Sequence, residues 1–140
     1  MFEIVKRFVS IIKGDQSKKQ EILIIDNRFH SLEFLKNALC RQYRVLIAQD
    51  KDEGFCKARL YTPSMIILNI RLNKEETLSL CVALRKLHET KDIPILMIAE
   101  KGSDSNITEF YIHKIEGFLI EPFSKREILS QVQTALLERK

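Results

Sequence analysis

Five short apolar runs, each followed by a longer segment with helical periodicity, limit what this chain can fold into. The runs are Ile22-Leu23-Ile24-Ile25, Val45-Leu46-Ile47-Ala48, Met65-Ile66-Ile67-Leu68, Ile95-Leu96-Met97-Ile98 and Phe118-Leu119-Ile120. Each has the length of a strand buried on both faces, and most are rich in β-branched residues. Between them, Leu32, Leu35 and Leu39 repeat at helical spacing, as do Leu78, Cys81, Leu84 and Leu87, and Ile128, Val132, Ala135 and Leu136. Five strands alternating with five helices imply an α/β fold: a five-stranded parallel sheet, doubly wound by right-handed crossovers, with helices on both faces.

Start signals support this division. Ser124 and Glu127 form a capping box, in which hydroxyl and carboxylate satisfy orphan amides reciprocally. Asp50 with Glu53 and Asn73 with Glu76 are similar, with Asp or Asn as the cap. Pro63 and Pro94 stand just before strands, where a missing amide donor is tolerated.

The chain has 140 residues, enough for one domain with a sizeable core. The formal net charge of +4 is mild, and no Lys/Arg cluster is interleaved with aromatics, so nucleic-acid binding is not expected. No apolar run approaches the roughly 18 residues of a membrane span. Cys40, Cys56 and Cys81 have no CxxC pairing and no His at ligand spacing; all three read as reduced core cysteines. Residues 1–20 divide from the domain at 21–140. Phe2, Val5, Phe8, Val9 and Ile12 fall on one face of an amphipathic helix over 1–13, followed by a polar linker. That helix packs on its own domain, or serves as a dimer or partner contact. Membrane association is not expected, since so short a stretch would hold a membrane weakly. Glu3, Lys6 and Arg7 within it argue against a secretory signal, so the default location is cytoplasmic.

In a doubly wound sheet, sites form beyond the carboxyl ends of the strands. Here the first run ends in Asp26-Asn27, the third in Asn69, the fourth in Ala99-Glu100 and the fifth in Glu121-Pro122-Phe123. The frame ILIIDN, PSMIILNI, IPILMIAE and GFLIEPF, with LCVALRKL after the third run, resembles the response-regulator receiver family over residues 21–139. Thirty residues separate Asn69 from Ala99 and fifty-two separate it from Glu121, the spacing of that family. The resemblance implies a flavodoxin-like (βα)5 fold and a role in signal transduction.

The departures from the family pattern imply a degenerate, pseudo-receiver pocket. Family members carry an acidic pair after the first strand, a phosphoacceptor Asp after the third, a Thr or Ser after the fourth and a Lys after the fifth. Asn69 offers a neutral amide, a poor nucleophile, in place of the carboxylate. Asp26 is the one family ligand carboxylate that remains, with Asn27 beside it, so Mg²⁺ binding is expected to be weak or absent. Ala99 has no hydroxyl for a phosphoryl oxygen, and Glu121 would repel the phosphoryl group by about 1–4 kcal/mol per charge pair at 4 Å. The switch-aromatic position is Phe118, without a hydroxyl. Asp26 and Glu121 leave the pocket at −2, the balance of three acids and one Lys. Arg28 or Arg71 is therefore a candidate to swing in and pair with Asp26 or Glu121 in place of the metal.

The expected function is a non-enzymatic, phosphorylation-independent receiver that works as a protein-interaction or dimerisation module. Family members contact partners through the fourth helix, fifth strand and fifth helix. Residues 104–114 are the expected fourth helix, and Ile107 and Tyr111 on it are the candidate contacts; Lys114 stands where the family usually has Gly. The alternative is a small-molecule or metal-binding sensor using the altered acidic pocket. With no output domain after the fifth helix in this sequence, the chain is expected to be either a stand-alone receiver or an excised fragment, and the initial Met and short first helix favour the former. His30, His88 and His113 share no spacing and are assigned no catalytic role.

Overall fold

The computed structural model describes residues 19–69, 74–100 and 114–137. In chain order these form β1 (Glu21–Ile25), α1 (Phe29–Leu39), β2 (Arg44–Ala48), α2 (Lys51–Tyr61), β3 (Met65–Asn69), α3 (Lys74–Lys86), β4 (Ile95–Glu100), β5 (Gly117–Glu121) and α4 (Lys125–Leu137). The expected helices over 1–13 and 104–114, and the cap at Asn73, lie outside the described residues, Lys114 apart.

All five apolar runs are strands, every pairing is parallel, and the order is β2-β1-β3-β4-β5. This is the flavodoxin-like order, with its topological switch between β1 and β3. Alternate strand residues feed two cores. Ile22, Ile24, Met65, Ile67 and Ile98 pack beneath α1 and α4, against Leu35, Leu39, Ile128 and Val132. Leu23, Ile25, Ile66, Leu68 and Met97 pack beneath α2 and α3, against Ala58, Leu80, Cys81 and Leu84. Each such aliphatic side chain contributes about 1.5–3 kcal/mol on leaving water. The central strand β3 is buried throughout and β1 from Ile22 onward, whereas the edge strands β2 and β5 are mostly half-buried.

Gly54 lets α2 lie close to the sheet. A Cβ there would stand 2.6 Å from Cδ1 of Ile25, so a side chain at this position would require the Ile25 side chain or the helix to shift. The capping box of α4 forms as expected: the Glu127 amide donates to Oγ of Ser124 at 3.1 Å, and the Ser124 amide donates to Oε1 of Glu127 at 3.2 Å. At α2, Asp50 accepts from the Glu53 amide at 2.8 Å, but the Glu53 carboxylate takes the Gln49 amide instead of that of Asp50.

The Arg85 guanidinium ties the turn after α3 to the entry of β5. It donates to the carbonyls of Lys91 and Ile93, both at 2.9 Å, and to that of Lys114 at 3.1 Å. Lys114 has φ 58°, the left-handed region that favours glycine, which accounts for the family's Gly at this position.

The cysteine expectation is corrected. Cys81 is buried, and burial pushes its thiol up to about 12, with Arg85 opposing. Cys40 and Cys56 are exposed. Cys56 lies off the stripe of Gly54 and Ala58 that α2 buries, and Cys40 is the C-cap of α1, beyond its last buried turn. No described helix is long and apolar enough to cross a membrane.

Candidate functional site at the strand ends

Asp26 follows β1 directly and is fully buried, and Asn69 closes β3 with 1% of its surface exposed. The Ile25–Leu68 register brings these two ends side by side. Nδ2 of Asn69 donates to Oδ2 of Asp26 at 2.8 Å. The other carboxylate oxygen, Oδ1, accepts the backbone N–H of Arg28 at 3.0 Å, an Asx-type turn that leads into α1. The Asp26 amide donates to the Ala48 carbonyl at 3.0 Å, so its backbone is fixed by the sheet as well. A buried carboxylate is tolerated only when its oxygens are hydrogen-bonded, and here an amide and a helix-entry N–H meet that need.

The expectation that Arg28 would bring its guanidinium to Asp26 or Glu121 is corrected. Its side chain pairs with Glu100 at 3.5 Å, on the surface. Because Arg28 is the extended N-cap of α1, its amide points back to Asp26 while its side chain leaves the pocket. Arg71 lies outside the described residues, as do Ile107 and Tyr111. Asn27 is exposed, Ala99 is fully buried within β4, and Phe118 is half-buried in β5.

Glu121 ends β5 beside Glu100 in the strand register. It faces a different space from Asp26. A cavity of ≈ 180 Å³ opens between α1 and β5, lined by His30, Ser31, Phe34, Leu35, Asn69, Ile98, Glu121 and Phe123. The rings of Phe34 and Phe123 meet edge to face, with centroids 5.7 Å apart. Asn69 is the partition: its amide touches Asp26 on one side and lines the cavity on the other. Sequence reasoning missed Phe34 and Ser31, and named Glu100 at the end of the fourth run without giving it a role. A signal for Phe34 was available, since it is a large apolar residue off the Leu32, Leu35 and Leu39 stripe of α1.

The family model for the response regulator receiver domain matches residues 22–133. The chain belongs to the response regulator receiver family. Among curated relatives, the transcriptional regulatory protein ResD of Bacillus subtilis is 28% identical over 126 residues, covering 89% of this chain and 51% of ResD. SrrA of Staphylococcus aureus is 30% identical over 120 residues, covering 85% of this chain and 48% of SrrA. The receiver thus spans about half the length of these relatives. Among solved structures, one from Chloroflexus aurantiacus described as a response regulator superposes with a TM-score of 0.79 at 25% identity, covering 85% of this chain and 98% of that one. The chemotaxis response regulator CheY4 of Vibrio cholerae shares the fold, with a TM-score of 0.77 at 23% identity over 84% of this chain and 98% of CheY4.

The receiver family implies Mg²⁺ at these strand ends, and the described residues do not fit it. A cation needs oxygen acceptors directed at it. Asn69 must present its N–H2 to the Asp26 carboxylate, because its carbonyl oxygen would be repelled there, so a donor stands where a ligand is needed. The second Asp26 oxygen is held by the Arg28 amide. Among the described residues, no three His, Cys, Asp or Glu side chains come together to hold a metal.

Proposed function

We propose that this receiver signals without aspartyl phosphorylation, as a non-enzymatic module that binds a protein partner or a second copy of itself. One observation carries the reading: the Asn69 amide is hydrogen-bonded to the buried Asp26 carboxylate at 2.8 Å. The position that would supply a nucleophile in the family supplies a donor to its neighbour, and an amide nitrogen so engaged has no nucleophilic role. The same bond satisfies one oxygen of Asp26, and the Arg28 amide satisfies the other. Ala99 and Glu121 support the reading, since one lacks a hydroxyl and the other has the wrong charge for a phosphoryl group.

Without a ligand that distinguishes two states, one conformation dominates. Output then depends on a constant surface. The surface we assign to it is that of β5, α4 and residues 104–114, with Ile107 and Tyr111 as contacts and the segment over 1–13 as a second candidate. A metal-sensing use of the pocket is less well supported, for the reasons of donor geometry given above.

The test is incubation with acetyl phosphate, and separately with beryllofluoride, each with Mg²⁺. Intact mass should show no phosphoryl adduct, and the melting temperature should not move. An adduct, or a stabilisation that requires Mg²⁺, would refute phosphorylation independence.

A further inference from the structure

The outer strand of a sheet offers a row of backbone groups to any other extended chain. In β2 the pairing with β1 fixes which groups those are. The Arg44 amide donates to the Gln20 carbonyl at 2.9 Å, and the Ala48 carbonyl accepts from the Asp26 amide at 3.0 Å. Backbone groups alternate in direction along a strand, so Arg44, Leu46 and Ala48 bond to β1 while Val45 and Ile47 direct theirs outward. Two groups at the carboxyl end of this row are taken by side chains of α2. Nζ of Lys57 donates to the Ile47 carbonyl at 2.6 Å, and the Gln49 amide donates to Oε1 of Glu53 at 2.8 Å. These two side chains also pair with each other at 3.0 Å, one helical turn apart. The Gln49 amide and Lys57 hold the Glu53 carboxyl below its ordinary range. Among the described residues, nothing covers the Val45 amide and carbonyl or the Ile47 amide.

A second copy of this chain fits the edge in one register. Antiparallel pairing about a two-fold axis at Leu46 sets each Val45 opposite the Ile47 of the other copy. Each such pair exchanges two N–H···O bonds, and the two pairs use every outward group of Val45 and Ile47. Arg44 then faces Ala48, so no like charges are opposed. The strand contains no Pro, and Arg44 is its one charged residue. Both pairs, however, need the Ile47 carbonyl that Lys57 holds. The Glu53–Lys57 pair also sets two charged groups in the path of an incoming strand. We infer that β2 is a latent self-association edge, which Lys57, braced by Glu53, keeps shut. The inference is independent of the phosphorylation reading, which rests on Asp26 and Asn69. The edge also lies at the opposite side of the sheet from the β5–α4 surface.

Lys57→Met in the full chain keeps the aliphatic stem and removes the donor. Sedimentation velocity over a concentration series should show it associating about tenfold more tightly than the parent, or more. Amide exchange at Val45 and Ile47 should slow by about tenfold or more as it associates. Lys36→Met, which removes one charge from the exposed side of α1, should sediment as the parent does. Adding Val45→Pro to Lys57→Met should restore the parental state, because proline removes an outward amide that β1 does not use. A Lys57→Met protein with parental association and exchange overturns the inference. So does association that survives Val45→Pro, which would lie on another surface, or that Lys36→Met reproduces, which would follow from charge alone. Exchange at Val45 and Ile47 in Lys57→Met decides by itself if the proline variant does not fold.

Discussion

The two halves of the sheet's carboxyl edge solve the same problem differently. At β1 and β3, Asp26 and Asn69 are buried and hydrogen-bonded to each other, and the α2–α3 layer behind them is close-packed, with Gly54 against Ile25 and Cys81 fully covered. At β5, Glu121 is only half-buried and borders a cavity walled by two phenylalanines. At the positions that carry the family's charges, one half holds a buried hydrogen-bonded pair and the other a half-buried carboxylate at the edge of a cavity. A sealed polar pair carries more of the fold's stability than a half-buried carboxylate on an edge strand. Substitutions should therefore separate these effects by position.

The largest effect is expected at Asn69→Asp. It replaces the donor by a second carboxylate at hydrogen-bond distance from Asp26, and two such groups cannot both ionise. Urea unfolding at pH 7 should show a loss of about 3 kcal/mol or more, the cost of an uncompensated buried charge. The pair's folded pKa lies above its unfolded value, so the loss should shrink as pH falls toward about 4. Mg²⁺ should restore stability to this variant and leave the parent unchanged. A variant as stable as the parent at pH 7 without Mg²⁺ would mean that the amide does not hold the sealed half.

Next in size is an alkaline test of the same half. The Cys81 thiol titrates at about 12 when folded and near 9.0 ordinarily, so its contribution is complete below about pH 9 and is lost as pH rises toward 12. Between pH 8 and 10.5 the parent should lose about 2 kcal/mol more than Cys81→Ala does. In native protein, a thiol reagent should modify Cys40 and Cys56 quickly and Cys81 only on unfolding. Three fast thiols would show that the layer is not sealed.

Much of this contrast was legible in the sequence, and what was not has a physical cause. Strand positions followed from runs such as Ile22–Ile25, because a central parallel strand is apolar on both faces, and the α4 cap followed from Ser124 and Glu127, which act within one turn. The exposure of Cys56 was lost because apolar neighbours do not reveal which stripe of α2 faces the sheet; Gly54 and Ala58 do. Arg28 was placed beside the pocket correctly, but its amide, not its guanidinium, serves Asp26. The cavity depends on Phe34 meeting Phe123 across the fold, a long-range contact that no local pattern encodes.

Effects on the open half should be small for stability. Glu121→Gln should change unfolding free energy by under about 1 kcal/mol, because the side chain is half-buried at an edge strand. A loss matching that of Asn69→Asp would remove the distinction between the halves.

The smallest effect belongs to the ion pair at the rim. Arg28 and Glu100 lie 3.5 Å apart with side chains 53% and 56% exposed, so water and salt screen their attraction. A double-mutant cycle of Arg28→Ala and Glu100→Ala should give a coupling of about 0.5 kcal/mol or less, falling further in high salt. The Arg28 amide still holds Asp26 after the side chain is removed, so Arg28→Ala leaves the sealed pair intact. A coupling above about 1 kcal/mol would instead make the guanidinium a strut across the strand ends, joining the β1 loop to β4 and extending the sealed half toward β5.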